Sequence, residues 1–263
     1  MTDDGSSVSL FDHLAAALRD DVPVAVATVV RPSERAGAKL LVFLDGQVEG
    51  SLGDAALDGQ VRRDAARLLS NGVSELRTYT VSMEDLSSEP YAVFVESHAP
   101  LPRLLIMGSV HAAPALCALA ARVGYRVTVV DARATYTTRD RFPDAAEIIV
   151  AWPHRALETL PPLDASTYVA VLTHDPKFEE PLLPALLRSE ARYIGLIGSK
   201  RTQQQRRELL RRLGVGESEL ARLHGPIGLD IGAVTPEEIA IAVLAEMTAV
   251  KYGRAGRPLK DSL

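Results

Sequence analysis

The residues with the greatest chemical reach fall in short runs, each just beyond an apolar stretch. These runs are Gly108, Ser109 and His111; Asp131 and Arg133; Pro153 and His154; Thr173, His174 and Asp175; and Gly198, Ser199, Lys200 and Arg201. An imidazole near a carboxylate moves protons close to neutral pH, so His111, His174 and Asp175 are the catalytic candidates. A hydrogen-bonded loop histidine is the commoner use of the same residue. A glycine turn that opens a helix offers free N–H groups and the positive end of a dipole. Gly198, Ser199 and Lys200 therefore suit a phosphate or another oxyanion, or simply cap the helix. No short His or Cys pair recurs at ligand spacing, so no metal site is expected. Cys117, the only cysteine, lies in an apolar stretch and reads as a buried small hydrophobe. Trp152 reads as core or as a stacking surface.

The elements that position these runs alternate. Strands are expected at Leu104–Met107, Arg126–Val130, Glu147–Trp152, Tyr168–Thr173 and Arg192–Ile197. Helices are expected after the Gly108-Ser109 turn to about Val123, over Phe178–Arg188 with Pro181 and Pro184 near its start, over Ser199–Leu213, and from Thr235 to about Tyr252. Thr235, Pro236 and Glu238 make a capping box with proline at the first helical position. Alternating strands and helices imply βαβ units and a parallel sheet. Ligands of such sheets bind beyond the carboxyl ends of the strands. All five runs sit there, and their convergence points to a small-molecule site. Arg206, Arg207, Arg211 and Arg212 continue the basic helix as a solvated face, or as a face for an acidic partner protein.

The first glycine turn resembles a dinucleotide fingerprint with one part changed. Gly108 supplies the tight turn, Ala113 is small enough for helix packing, and Asp131 stands where an acidic residue would meet a ribose hydroxyl. Val110 occupies the second glycine position, and its branched side chain would crowd a pyrophosphate. NAD(P) is therefore a weakened expectation on a Rossmann-like scaffold.

The first hundred residues read differently. Val22–Arg31 is a strand, and Lys39–Leu44 with Gln47–Leu52 flank the hairpin signal Asp45-Gly46. Asp54–Ser70 has helical spacing and stops at Asn71-Gly72. Leu76–Val81 and Tyr91–Val95 are two further strands, and Ser97–Pro102 is the expected linker. The turns at Ser33, Arg35 and Gly37 and at Gly50–Asp54 are glycine-punctuated and suit an anion or a plain connection. The expected fold is α/β: a mixed α+β domain over 1–98, then a Rossmann-like parallel-sheet domain over 103–263.

Composition narrows the classes. The 263 residues are 47% hydrophobic with a formal net charge of −5, which argues against nucleic-acid binding. One cysteine excludes an internal disulfide and fits a cytoplasmic setting. Met1–Ser6 lacks a basic lead-in to an apolar stretch, so no secretory signal is read there. No apolar run approaches the ~20 residues of a membrane span.

Taken together, these stretches resemble the XdhC/CoxI family of molybdenum-hydroxylase accessory proteins. The resemblance rests on Leu104–Asp131 with its Gly-x-x-His turn, Thr173-His174-Asp175, Tyr193–Arg201, Pro226–Gly232, Thr235–Ala240 and Leu244–Glu246. In the first half, Ser33, Arg35 and Gly37 resemble a Gly-Ser-x-Pro-Arg-x-x-Gly turn. Gly50–Gly53 resembles the lead-in to a Gly-Gly-Cys-x-Glu motif. Here that motif reads Gly53-Asp54-Ala55-Ala56-Leu57-Asp58, without the second glycine and the cysteine, and Asp58 replaces the glutamate only with shifted spacing. The resemblance implies a cytoplasmic, dimeric, chaperone-like helper that is not itself an enzyme. Such a helper binds molybdenum cofactor (molybdopterin) and delivers it to an apo-hydroxylase such as xanthine or carbon monoxide dehydrogenase, with a cofactor sulfurase as a further partner. The site residues that it implies, taken with the glycine turns, are Gly108, Ser109, His111, Asp131, Arg133, Gly198, Ser199, Lys200, Ser33, Arg35 and Gly53. The alternative is an NAD(P)-dependent oxidoreductase or a nucleotide-binding regulator.

Overall fold

The computed structural model describes residues 9–81, 90–109, 111–173 and 175–261. Met1–Ser6, Val110 and His174 lie outside the described residues. The chain folds as two units, Met1–Pro100 and Leu101–Leu263.

The first unit holds helix α1 (Leu10–Arg19), strands β1 (Val24–Arg31), β2 (Lys39–Phe43) and β3 (Val48–Ser51), helix α2 (Ala55–Asn71), and strands β4 (Glu75–Tyr79) and β5 (Tyr91–His98). The sheet is antiparallel, in the order β3-β2-β1-β5-β4. The β2–β3 turn is the expected one: Gly46 has φ +88 and the Asp45 carboxylate accepts from the Gln47 N–H. α2 starts because the Asp54 carboxylate accepts from the N–H groups of Ala56 and Leu57. Leu57, Val61, Ala65 and Leu68 recur on one face and bury against Ala25, Ala27, Val29 and Val93. α1 is not among the elements expected from the sequence. Ser9 and Asp12 cap it reciprocally, and it packs on Val24, Val26 and Leu41. Its capping box uses Asp where Glu or Gln is the usual signal. The linker also starts later than expected. Ser97 and His98 pair with Ala25 and Val24 inside β5, so only residues 99–102 connect.

The second unit runs β6 (Arg103–Met107), α3 (Ala113–Arg122), β7 (Arg126–Val130), β8 (Glu147–Ile149), α4 (Pro153–Thr159), β9 (Thr167–Val171), α5 (Pro176–Leu187), β10 (Tyr193–Leu196), α6 (Lys200–Arg212), α7 (Glu217–Leu220), β11 (Leu223–His224) and α8 (Pro236–Tyr252). All strand pairs are parallel, in the order β11-β10-β9-β6-β7-β8. The central strand β6 buries side chains on both faces: Leu104 and Ile106 lie under α3 and α8, while Leu105 and Met107 lie under α4, α5 and α6. The chain leaves β6 to one side and returns at β9 on the other, so the switch point lies between these strands. α5 starts earlier than the prolines suggest. It begins at Pro176, with Asp175 as its cap and Pro181 and Pro184 inside it. Burial of Leu182, Leu183, Leu186 and Leu187 holds the helix despite two missing N–H donors. The third strand of this sheet ends at Ile149, because Trp152 already precedes the first turn of α4.

Candidate functional site

The switch point is built around Gly108. Its φ is +109, and a Cβ there would lie 3.1 Å from the carbonyl carbon of Leu172 and 3.1 Å from the Thr173 nitrogen. Only glycine lets the end of β6 pass this close to the end of β9. Ser109 follows, fully buried. His111 is exposed with φ +50. On the β9 side, Thr173 is buried and its hydroxyl accepts from the Asp175 N–H. The Asp175 carboxylate accepts from the Lys177 N–H at 3.0 Å and so caps α5.

The structure brings Ser109, Asp131 and Arg133 into one cluster. Asp131 is 2% exposed. Its Oδ2 accepts from the Ser109 N–H at 2.9 Å, the Ser109 hydroxyl at 3.0 Å and Arg133 Nη2 at 2.7 Å. Its Oδ1 accepts from the Arg133 backbone N–H and from Arg133 Nε, both at 2.9 Å. Burial pushes the Asp131 carboxyl up, but these donors outweigh it and hold the carboxyl at about 2. A carboxylate offers about four lone-pair sites, and here all are engaged. The residues present therefore do not fit the ribose contact expected of Asp131 in a dinucleotide site. Arg133 also lies over Tyr136, 5.2 Å from the ring centroid.

Trp152, the cap residue of α4, is 45% exposed. It stacks on Phe178 of α5 with centroids 4.7 Å apart, so it is neither core nor free. Its neighbour His154 has a buried Nδ1 without a partner among the described residues.

The second glycine turn keeps its expected shape but only part of its expected helix face. Gly198 has φ +129, and the Ser199 hydroxyl accepts from the Thr202 N–H. Lys200 is exposed at the start of α6. Of the four arginines beyond it, Arg211 and Arg212 are exposed as expected, whereas Arg206 and Arg207 are drawn inward. Arg206 is buried against Glu179 of α5. Arg207 donates to the carbonyls of Leu220 and Leu223, and Arg211 pairs with Glu217. The sequence shows their charge but not the acceptors that the fold brings to them.

A polar cluster on the other face of the sheet has no counterpart among the expected site residues. Glu246 of α8 accepts from the Tyr193 hydroxyl, from the Gly228 N–H at 2.8 Å, and pairs with His224 Nδ1 at 3.2 Å. Burial pushes the Glu246 carboxyl up, and its bonds to His224, Tyr193 and Gly228 bring it below its ordinary value. Tyr193 and His224 stack with centroids 4.6 Å apart. The cluster ties the 226–232 segment to α8. Its partners are distant in sequence, so no spacing signals them.

In the first unit the two glycine turns meet. Arg35 donates to the Gly53 carbonyl and lies 5.9 Å from the Tyr91 ring centroid. Gly53 has φ +90, and a Cβ there would fall 2.7 Å from Arg35 Nη1. Ser33 lies in the same short turn. Among the described residues, no group of three or more His, Cys, Asp or Glu side chains is placed to share a metal ion. No helix among them is long and apolar enough to cross a membrane.

A family model described as the XdhC Rossmann domain matches residues 104–247, and a second, described as the XdhC and CoxI family, matches 17–80. The chain belongs to the XdhC family. It is 29% identical over 258 residues to the uncharacterized protein YqeB of Escherichia coli K12, covering 95% of this chain and 47% of that protein. It is 34% identical over 157 residues to a probable xanthine dehydrogenase subunit of Bacillus subtilis 168, covering 59% and 44%. It is 30% identical over 152 residues to the molybdenum cofactor insertion chaperone PaoD of Escherichia coli K12, covering 58% and 41%. The matches thus span less than half the length of each of these relatives. A crystal structure of a xanthine dehydrogenase from Bacillus halodurans superposes with a TM-score of 0.54 at 23% identity, covering 92% of this chain and 96% of that one. That likeness supports the fold.

Within this XdhC-family chain, Asp58 has a structural task. Its carboxylate accepts from the Leu52 N–H at 2.8 Å and the Ser51 hydroxyl at 2.7 Å, which fixes the turn leading to Gly53. Cys117 is no substitute for the missing cysteine. It is buried in α3 of the other unit, and burial pushes its thiol up to about 11.

Proposed function

We propose that this chain is an accessory factor in the maturation of a molybdenum hydroxylase, and that it binds molybdenum cofactor and passes it to the apo-enzyme. The likeness to a molybdenum cofactor insertion chaperone, inside a shared family, carries this reading. In it, 1–98 is the XdhC/CoxI-like domain and 103–263 the Rossmann-like domain. The factor works in the cytoplasm as a homodimer, with a hydroxylase of the xanthine or carbon monoxide dehydrogenase type as client and a cofactor sulfurase as second partner.

The residues fit the organic, anionic part of such a cofactor. The Arg35 guanidinium lies where a Cβ of residue 53 would be and donates to the Gly53 carbonyl, so the missing side chain lets this cation sit against the turn, where it can face an anionic group. Lys200 is exposed at the first position of α6, where the helix opens with free N–H groups and Gly198 and Ser199 shape the turn. When bound, the cofactor supplies a metal centre for the client's redox chemistry. The chain's part is to hold the phosphate-bearing end and exclude solvent from it. With Cys117 sealed, it offers no cysteine thiolate to the metal.

The test is ligand retention. The purified chain is incubated anaerobically with molybdenum cofactor, and separately with NAD(H) and NADP(H), then desalted and assayed for released pterin and nucleotide by fluorescence. Stoichiometric pterin that falls at least tenfold in Arg35→Ala or Lys200→Ala supports the proposal. Nucleotide without pterin moves the reading to the alternative that the Rossmann strand order favours, an NAD(P)-dependent oxidoreductase. Retention of neither overturns both.

A further inference from the structure

We infer that Arg133 closes the Rossmann crevice of this chain to dinucleotides, by occupying the carboxylate that would otherwise take a ribose diol. The scaffold is otherwise prepared for one. The strand order places the switch point at β6 and β9, Gly108 makes the tight turn there, and Asp131 ends the next strand. A diol donates two hydrogen bonds to such a carboxylate. In this chain Arg133 takes that place. Its Nε and Nη2 reach both oxygens of Asp131, at 2.9 and 2.7 Å, and its own backbone N–H adds a third bond at 2.9 Å.

Ser109 uses what remains. Its N–H and hydroxyl both donate to Oδ2, and Thr137 donates to the Ser109 hydroxyl at 3.2 Å behind it. Ser109, Asp131 and Thr137 are all buried. The Arg133 side chain is 41% exposed, so it alone is placed to swing away. An arginine near this position can accept a 2′-phosphate in other Rossmann sites. That role is also closed here while the guanidinium is held edge-on to Asp131. The lock therefore acts against NAD+ and NADP+ alike, and it holds whether or not the chain handles molybdenum cofactor.

The lock predicts a gain of binding on mutation. Equilibrium dialysis with NAD+ and with NADP+ should show no retention by the wild-type chain at millimolar nucleotide. Arg133→Ala leaves Asp131 with its two Ser109 donors and the backbone N–H of residue 133, and frees one site on each oxygen from the guanidinium, so NAD+ affinity should rise at least tenfold, about 1.4 kcal/mol. NADP+ should gain less, because the freed carboxylate repels a 2′-phosphate. Adding Asp131→Asn should abolish the gain. Arg133→Gln serves if the alanine variant does not fold. Val110 stands in sequence at the second glycine position of the fingerprint, so both variants are repeated with Val110→Gly. A gain that needs Arg133 removed, in either background, supports the lock. Wild-type binding of NAD+ that Asp131→Asn destroys overturns it. So does the absence of any gain from natively folded Arg133 variants in both backgrounds.

Discussion

Arg206 on α6 and Glu179 on α5 form a two-pronged pair. Nε to Oε2 and Nη2 to Oε1 are both 2.6 Å, and the side chains are only 4% and 9% exposed. Arg206 Nη1 completes its bonding on the Ile197 carbonyl and on Gln203. The pair lines a groove of about 250 Å3 between the two helices, with Leu183, Leu209 and Leu210 as apolar walls. A charge placed this deep is stable only with its partner. Glu179→Ala should therefore cost about 3–5 kcal/mol in urea unfolding, and replacing both with Leu and Met should recover most of it. A single-mutant cost below about 1 kcal/mol would show that water reaches the pair.

That pair marks a boundary of what the sequence discloses. The alternation of apolar strands with helices is periodic and local, so β6 to β10 and helices α3, α5 and α6 are legible, while the seven-residue α4 is not. So are the Asp45-Gly46 hairpin and the Thr235 capping box, since each signal lies within a few residues. Arg206 and Glu179 are 27 residues apart, and nothing local distinguishes Arg206 from its exposed neighbour Arg212. The same holds for Tyr193, His224 and Glu246. Helix α5 runs through two prolines because its leucines are buried, which is a tertiary effect. The rim residues are legible as strand ends. The saturation of Asp131 is not, because it depends on which way Arg133 turns.

Asp131 should make the fold acid-sensitive. Its carboxyl lies at about 2 in the folded chain against an ordinary 3.8, so the folded state binds its proton less readily than the unfolded one. The contribution, about 2 kcal/mol, is complete above the ordinary aspartate range and is lost as pH falls through about 2. Asp131→Asn should be less stable than wild type at neutral pH, with the gap narrowing as the pH is lowered. A gap that stays constant between neutral pH and about pH 2 would contradict this assignment.

Gly108 and Gly37 separate close approach from backbone strain. Both have positive φ, +109 and +91, but a Cβ at Gly108 meets the β9 end at 3.1 Å while one at Gly37 meets nothing within 4 Å. Gly37→Ala should cost only the left-handed conformation, about 1 kcal/mol. Gly108→Ala should cost about 1–3 kcal/mol more, since β6 and β9 must separate. Thermal unfolding of the two variants side by side gives the comparison. Equal losses would mean that β9 yields freely at the switch point.

Cys117 provides a probe of whether the second unit opens. The thiol is 1% exposed among Leu116, Ala120 and Phe142, on the face of the sheet that α3 and α8 cover. Burial pushes it up to about 11, so almost no thiolate is present at neutral pH and none is accessible. Iodoacetamide should leave the folded chain unmodified over hours and label it fully in denaturant. The rate under native conditions then reports opening of the α3–α8 layer. Removing the Glu246 carboxylate, which ties α8 to Tyr193 and the Gly228 N–H, should raise that rate at least tenfold in Glu246→Ala, about 1.4 kcal/mol of opening free energy. Rapid labelling of the wild-type chain would show that this layer is already open. An unchanged rate in Glu246→Ala would show that apolar packing of Ala240, Val243 and Met247 holds α8 without it.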